Sequence, residues 1–476
     1  MKNSILLIGS GPSSYASCLR LLKSEYEIFL ADGRNLEGLR EVSCVYENNN
    51  SNEDSRVKKF SKSNLDMNFI PQDNNYPKPS LIFGGYSNIW GGAVALLNKD
   101  KNSKWGPVSK EIENGYKNFI NELNVHSNRK DFEKYTDNKL PVSEREKILI
   151  NKLNNQSNNN FFVDYSAIAL ENRIDESICK ICGEYSWSCK TNSSWSSTTR
   201  FKQLIVDKKI NYLKNAVVNK ILEKVDEDIV NVELLIDGKI EIKEFNKIFV
   251  GAGAIGTSKI MINSINNLKQ IEIKSNDLVT IPYINFSKNS KKLHTFSDIF
   301  FNFQNNNYNF FGQIYGISEN LFKMSASAVP IATKLKYLVK PFLKYSGGIF
   351  LYVDEDLSSS LIIKEKNIQI SGRESDNKRS RKAIFTLFLK LLKAGVLTFP
   401  FLGTKKKYGN SNHYGSQFPL NDIGNPNSTD SFGRLKIFNN VHIIDSSVLP
   451  CLEPGPITLT VMANSYRITD MVCNEA

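Results

Sequence analysis

The opening stretch constrains the fold most. Ile5-Leu6-Leu7-Ile8 is a short apolar run that stops at Gly9-Ser10-Gly11. A helical pattern comes next, with Tyr15, Leu19 and Leu22 on one face, and a second apolar run, Ile28 to Ala31, closes on Asp32. Strand, glycine turn, helix, strand and acid together make a βαβ unit with the dinucleotide-binding fingerprint. Gly9 permits the tight turn, and Gly11 lets the backbone approach a pyrophosphate. Pro12, Ser13 and Ser14 open a helix whose free N–H groups and partial positive charge suit that anion. Ser14 stands where the fingerprint has its third glycine and is small enough for close helix–strand packing. Asp32 lies 23 residues after Gly9, near the ~20 expected of a carboxylate that binds a ribose hydroxyl. The fingerprint serves FAD and NAD alike, and a plain buried turn is the alternative for the bare Gly-x-Gly.

The chain has 476 residues, too many for one ordinary core, so two or three domains are expected. With 41% hydrophobic and 23% charged residues it is globular, and its formal charge of +12 favours anionic partners: nucleotides, phosphorylated sugars or a membrane surface. No helix-turn-helix, zinc-finger or stacking-platform pattern is present, so nucleic acid is not expected as a partner. The first apolar run is consumed by the nucleotide-binding strand, which leaves no cleavable signal. No uncharged run reaches the ~18 residues needed to span a bilayer. Seven scattered cysteines fit a reducing compartment. A cytoplasmic location is expected, with peripheral contact at the inner membrane face left open.

Residues 45–80 are rich in Asn, Ser and Lys and read as a long excursion or a lid. After it comes Leu81-Ile82-Phe83-Gly84-Gly85-Tyr86-Ser87-Asn88-Ile89-Trp90-Gly91-Gly92, two glycine pairs flanking a Trp, suited to backbone packing flat on a planar ligand. This segment resembles the second flavin-contacting motif of the glucose-methanol-choline (GMC) oxidoreductases, in particular a bacterial branch with Gly-Gly-x-Ser followed by Trp-Gly-Gly. Trp105-Gly106-Pro107-Val108 and the helical pattern up to Tyr116 resemble the family's next segment. Asn215 to Ile221 resembles the strand whose Val, here Val218, meets the adenine. Ile248 to Thr257, with Gly251-Ala252-Gly253, resembles the family's Gly/Ala turn before a helix, here Ser258–Ile265.

From about 276 to 404 the pattern turns to alternating, aromatic strands, among them Ile299–Phe303 and Gly348–Tyr352. Leu361–Ile363 and Ile368–Ile370 bracket a hairpin turn, grouped here with an inserted antiparallel sheet. Two basic, apolar segments, Lys334–Tyr345 and Ala383–Phe401, either lie in an anionic membrane interface or pack on the sheet with their lysines in water.

The tail carries the chemistry. Asn412 to Leu420 resembles the family segment that begins with the catalytic His, which makes His413 the candidate base. Imidazole, with an ordinary pKa of ~6.5, suits removal of an alcohol proton near neutrality. His442, inside an apolar strand, reads as structural. Asp430 to Arg434 resembles the turn before a strand, and Val441 to Pro450, with Asp445 and Ser446, resembles the family's strand and turn at the ribityl side. A last helix is expected from near Pro456, with Ile457 after it; the resemblance implies that its N-terminus points at the flavin pyrimidine edge, where its partial positive charge favours the anionic reduced ring. Where the family has a second His or Asn before that Pro, this chain has Gly455; either a nearby side chain such as Asn464, Glu453 or Tyr414 substitutes, or the inserted domain orients the alcohol, or the activity is weak or redirected. Cys179, Cys182 and Cys189 form the other cluster. With a fourth ligand from elsewhere they could hold zinc or iron, but reduced thiols are the expectation and no metal is assigned.

The resemblance covers about residues 1–275 and 405–476. It implies an α/β fold: a Rossmann-like FAD-binding domain of the GMC/p-hydroxybenzoate-hydroxylase type (1–275 and 405–476) with an inserted antiparallel-sheet substrate domain (276–404). FAD is held non-covalently, with Gly9 and Gly11 at the pyrophosphate, Asp32 at the adenosine ribose and Val218 at the adenine. Gly84, Gly85, Ser87, Asn88, Trp90, Gly91 and Gly92 lie along the isoalloxazine, and Asp445 with Ser446 at the ribityl chain. The implied reaction is oxidation of an alcohol by hydride transfer to flavin N5, with oxygen, a quinone or a carrier protein as final acceptor. A sugar or glycan precursor, hence polysaccharide biosynthesis, is the expected substrate class. A redox-neutral flavoenzyme and a non-catalytic FAD-binding component of a membrane-associated complex are the alternatives.

Overall fold

The computed structural model describes residues 3–33, 70–71, 82–88, 90–97, 104–158, 160–171, 193–223, 228–286, 297–316, 345–365, 367–372, 374–399, 404–405, 411–422 and 424–475. The cysteine cluster, nearly all of the 45–80 excursion and all of Lys334–Tyr345 except Tyr345 lie outside the described residues.

A parallel five-stranded sheet carries the opening motif. Its order is β22 (Val441–Ile443), β11 (Lys247–Val250), β1 (Ser4–Ile8), β2 (Glu27–Ala31) and β7 (Asn211–Leu213). All five residues of β1 are buried, as expected of a central strand covered on both faces. Strands from the head, middle and tail of the chain therefore share one sheet. Helix α1 (Pro12–Leu21) packs on the last described helix, α7 (Thr458–Glu475), through small polar side chains. Ser17 Oγ lies 2.9 Å from Ser465 Oγ and 2.6 Å from Thr469 Oγ1, and Ser465 Oγ donates to Ser13 O at 2.6 Å. Small side chains let the two helices approach closely while their hydroxyls satisfy one another. Helix α2 (Val108–Glu122) lies against α7, with Tyr116 Oη 3.1 Å from Thr460 Oγ1.

Three further described helices are α3 (Glu144–Asn154), α4 (Ser197–Val206) and α5 (Gly253–Ser264). Helix α5 begins at Gly253, five residues before the expected Ser258, because the Gly/Ala turn itself forms its first turn. Helix α7 begins at Thr458, two residues after Pro456. A three-stranded antiparallel sheet, β8 (Ala216–Glu223), β9 (Val230–Ile236) and β10 (Lys239–Phe245), lies beside the parallel one, and a small pair joins β4 (Val125–Ser127) to β6 (Ala167–Ala169).

The seven-stranded antiparallel sheet contains β13 (Leu278–Asn285), β14 (Ile299–Asn305), β15 (Tyr308–Gly316), β16 (Ser346–Val353) and β19 (Val396–Thr398), with β20 (Thr404–Lys405) beside β13. Its last member, β5 (Phe161–Tyr165), comes from well before residue 276. Strand alternation gives this sheet two different faces. One packs Ile281, Phe301, Ile314, Ile349 and Leu351 with Leu387 and Leu391 of helix α6 (Glu374–Lys393). The other presents Phe300, Phe311, Phe350 and Tyr352.

The hairpin is β17 (Ser360–Lys364) and β18 (Asn367–Ser371). It does not join the seven-stranded sheet. It pairs with β12 (Gln270–Ser275), which also pairs β21 (Tyr414–Gly415), while β3 (Ile70–Pro71) pairs β18. Leu361, Ile363 and Ile368 bury themselves in the nucleotide-side core. The alternating pattern identified strands correctly but could not say which sheet they would join.

Candidate active site

Gly9 turns the chain out of β1 with φ +87°, and a Cβ there would lie 2.6 Å from Gly251 O, so only glycine fits. Gly251 approaches from β11, where a Cβ would meet Ser14 Oγ at 2.3 Å. Ser10, the residue between the two glycines, ties the turn together. Its N–H donates to Asp32 Oδ2 at 2.9 Å, its hydroxyl donates to the same oxygen, and that hydroxyl accepts the Gly84 N–H at 2.6 Å. Ser197 Oγ, from the first turn of α4, donates to Ser10 O at 2.8 Å. The residue types at Ser10 and Ser197 carry no signal in the fingerprint, and only the fold brings them together.

A single cavity of about 1480 Å³ runs from this turn to the seven-stranded sheet. Gly9, Gly11, Pro12, Ser13, Asp32, Gly85, Ser87, Trp90, Gly91, Val218, Gly251, Ala252, Gly253, Asp445, Ser446, Pro456, Ile457 and His413 all line it. Ser14, Gly84, Asn88 and Gly92 do not line it and instead support the turns behind it. Ser14 Oγ reaches Ile8 O at 3.4 Å. A Cβ on Gly84 would clash with Thr198 Oγ1 at 1.9 Å. Asn88 Nδ2 donates to Phe83 O and Gly85 O, and Gly92 O accepts the Ala169 N–H at 2.7 Å.

Asp445 caps a short turn, Ser446–Val448: its Oδ1 accepts Ser447 N at 2.9 Å and its Oδ2 accepts the Thr257 hydroxyl. Burial pushes this carboxyl above its ordinary range, and the surrounding hydroxyl and N–H donors pull it back. Gln417 Nε2 spans α5 and this turn, donating to Ala254 O and Ser447 Oγ, both at 2.8 Å.

His413 stands just before β21, the short strand that pins the tail to β12. Its N–H donates to Ser411 Oγ at 3.0 Å, and Asn276 N–H donates to its carbonyl at 3.4 Å. The imidazole stacks on Tyr352, with centroids 4.6 Å apart and planes 23° apart. Tyr86, Trp90, Gln313, Tyr315, Phe350 and Asn412 line the same cavity. Gln313 is buried and its Oε1 accepts the Tyr315 hydroxyl at 2.7 Å. These sheet residues escaped sequence reasoning. The one available signal was a Gln at the cavity-facing period of an aromatic strand, Phe311-x-Gln313-x-Tyr315.

Gly455 has φ +128°, and a Cβ there would lie 3.1 Å from Phe311 Cγ. The ring of Phe311 thus occupies the space a side chain at that position would need. Of the three candidate substitutes, Tyr414 lines the cavity, whereas Asn464 and Glu453 do not. Asn464 is buried in α7, where its Oδ1 accepts Arg467 Nε at 3.0 Å. His442 is also buried, stacks on Phe249 and donates from Nδ1 to Phe432 O at 2.9 Å, as a structural histidine would.

The residues fit a flavin dinucleotide. Gly11, Gly85 and Gly253 line the cavity, and a Cβ on any of them would meet no protein atom within 4 Å. Space kept clear by glycine that no neighbour fills is what a closely apposed ligand requires. The volume exceeds the ~300–1,000 Å³ typical of sites for single small ligands.

Together the parallel sheet, the antiparallel sheets and the cavity that residues of both line make a mixed α/β fold of the GMC oxidoreductase type. Among solved structures the chain is similar to pyridoxine 4-oxidase from Mesorbium loti, over 99% of this chain and 99% of that one, with a TM-score of 0.58 at 11% sequence identity. No protein-family model and no curated protein matches the chain.

Proposed function

We propose that this protein is an FAD-dependent oxidoreductase that oxidises an alcohol group of a sugar or glycan precursor. One observation carries the reading: the Gly9–Gly11 turn and the Tyr352-stacked His413 line the same cavity. When bound, FAD supplies the hydride acceptor. Gly11 and the N-terminus of α1 take the pyrophosphate, Asp32 the ribose, Val218 the adenine end, and Asp445 with Ser446 the ribityl chain. His413 accepts the alcohol proton on an imidazole nitrogen, and stacking on Tyr352 holds the ring plane for that transfer.

The wall around His413 supports a ring-shaped, hydroxylated substrate. Faces of Tyr315, Phe350 and Trp90 cover apolar C–H surface, while the amides of Gln313 and Asn412 can both donate to and accept from hydroxyls. The cavity lysines, Lys220, Lys259 and Lys269, come instead from β8, α5 and the residues after α5.

The test is the purified protein's absorption spectrum followed by anaerobic mixing with neutral sugars and with aromatic alcohols. The reading expects a flavin spectrum that sugars bleach lastingly. Product without lasting bleaching assigns a redox-neutral cycle, and a colourless protein overturns the reading.

A further inference from the structure

Helix α6 is apolar on two faces. Its inner face buries Ala383, Leu387 and Leu391, with Ala394 just beyond its end, against the seven-stranded sheet on the side away from the cavity. Its outer face is apolar as well. Phe385, Leu389 and Leu392, at i, i+4 and i+7, are 59%, 43% and 45% exposed. At ~100° per residue they form one stripe almost opposite the buried one.

Charge is distributed around that stripe in a definite way. Residues 378–393 include six basic side chains and no acidic one. Two are turned back to the protein: Arg379 Nη1 donates to Tyr308 Oη at 3.0 Å, and Lys390 Nζ lies 4.7 Å from the centre of the Phe161 ring. The other four, Lys378, Arg381, Lys382 and Lys393, are exposed and flank the stripe on its own side of the helix.

From this we infer that the outer face of α6 docks on an anionic lipid surface, with Phe385, Leu389 and Leu392 entering the headgroup–acyl boundary and the four cations facing lipid phosphates. A bilayer supplies what the face presents: apolar depth for three large side chains and negative charge on either side of them. A second copy of the chain fits poorly, because a two-fold contact would bring residues 378–393 of both copies together, six basic side chains from each and no acidic one between them. Because α6 and the cavity lie on opposite faces of the sheet, docking leaves the site's own walls untouched.

Flotation of the full-length protein with phosphatidylcholine vesicles, with and without phosphatidylglycerol, tests this. Co-flotation is expected only with the mixed vesicles, and it should weaken at high salt. K378E/R381E/K382E should lower vesicle affinity on the order of 10²-fold or more while keeping its melting temperature. F385S/L389S/L392S should also abolish flotation; if that variant does not fold, the charge-reversed one decides. Three results overturn the proposal: no flotation with mixed vesicles, parental flotation by the charge-reversed variant, or a parental oligomer that the exposed-stripe variant dissociates while flotation is unchanged.

Discussion

The two ends of the cavity are built from different material. At the glycine turn the wall is backbone, packed so closely that a Cβ on Gly9 or Gly251 would come within 2.6 Å or 2.3 Å of its neighbours. At the His413 end the wall is side chains, projecting from one face of a sheet whose other face is core. A backbone wall tolerates few residues at each position, whereas a side-chain wall can be rebuilt from many combinations. The first kind suits a ligand that stays the same, and the second suits a substrate that differs from one protein to the next.

The largest expected effect separates the two ends by chemistry. His413→Ala should slow anaerobic flavin reduction by ~10²–10⁴-fold and leave the flavin bound, because the nucleotide end is unaltered. Reduction at the parental rate would remove His413 as the base. Next come two glycines in one turn with opposite surroundings. Gly9→Ala forces a side chain onto Gly251 O at positive φ, and should cost about 2–5 kcal/mol of folding stability in denaturant titration. Gly11→Ala meets no protein atom, so it should leave the apoprotein's melting unchanged while weakening flavin retention. Equal losses of stability in both would show that the glycines serve packing alone.

The same contrast explains what the sequence revealed. The turn at Gly9, the helix after it and Asp32 were legible because close backbone approach and a left-handed φ admit so few residues. Val441 to Ser446 was legible only through its resemblance to a family motif; the fold makes Val441–Ile443 a strand and Asp445 the cap of the next turn. Gln313, Tyr315 and Tyr352 were not, since alternation fixes which residues share a face but not what the face looks toward. The β17–β18 hairpin was recognised and then grouped with the wrong sheet, because pairing partners depend on long-range topology. Phe311 filling the space beside Gly455 joins residues 144 apart, a relation no local pattern records.

That last contact can be broken deliberately. Gly455→Asn should cost about 1–3 kcal/mol, from positive φ and crowding against Phe311. In a double-mutant cycle with Phe311→Ala, part of that cost should vanish, giving a favourable coupling of about 1 kcal/mol in thermal unfolding. Additive effects would mean that Phe311 is not what closes the position.

The smallest effect at neutral pH concerns His442, the buried histidine of the tail's strand. Burial lowers its pKa from 6.5 to about 3, with nearby Lys247 and Arg434 acting in the same direction. Between those values the unfolded chain binds a proton that the folded chain refuses. Stability therefore falls as the pH drops from 6.5 toward 3, by up to about 1.4 kcal/mol per pH unit from this residue. His442→Phe should keep the stack on Phe249 and lose the hydrogen bond to Phe432 O, for about 1 kcal/mol at neutral pH. In return its stability should decline less steeply below pH 6.5, measured by urea titration across the acid range. An acid slope as steep in His442→Phe as in the parent would remove His442 as the group that refuses the proton.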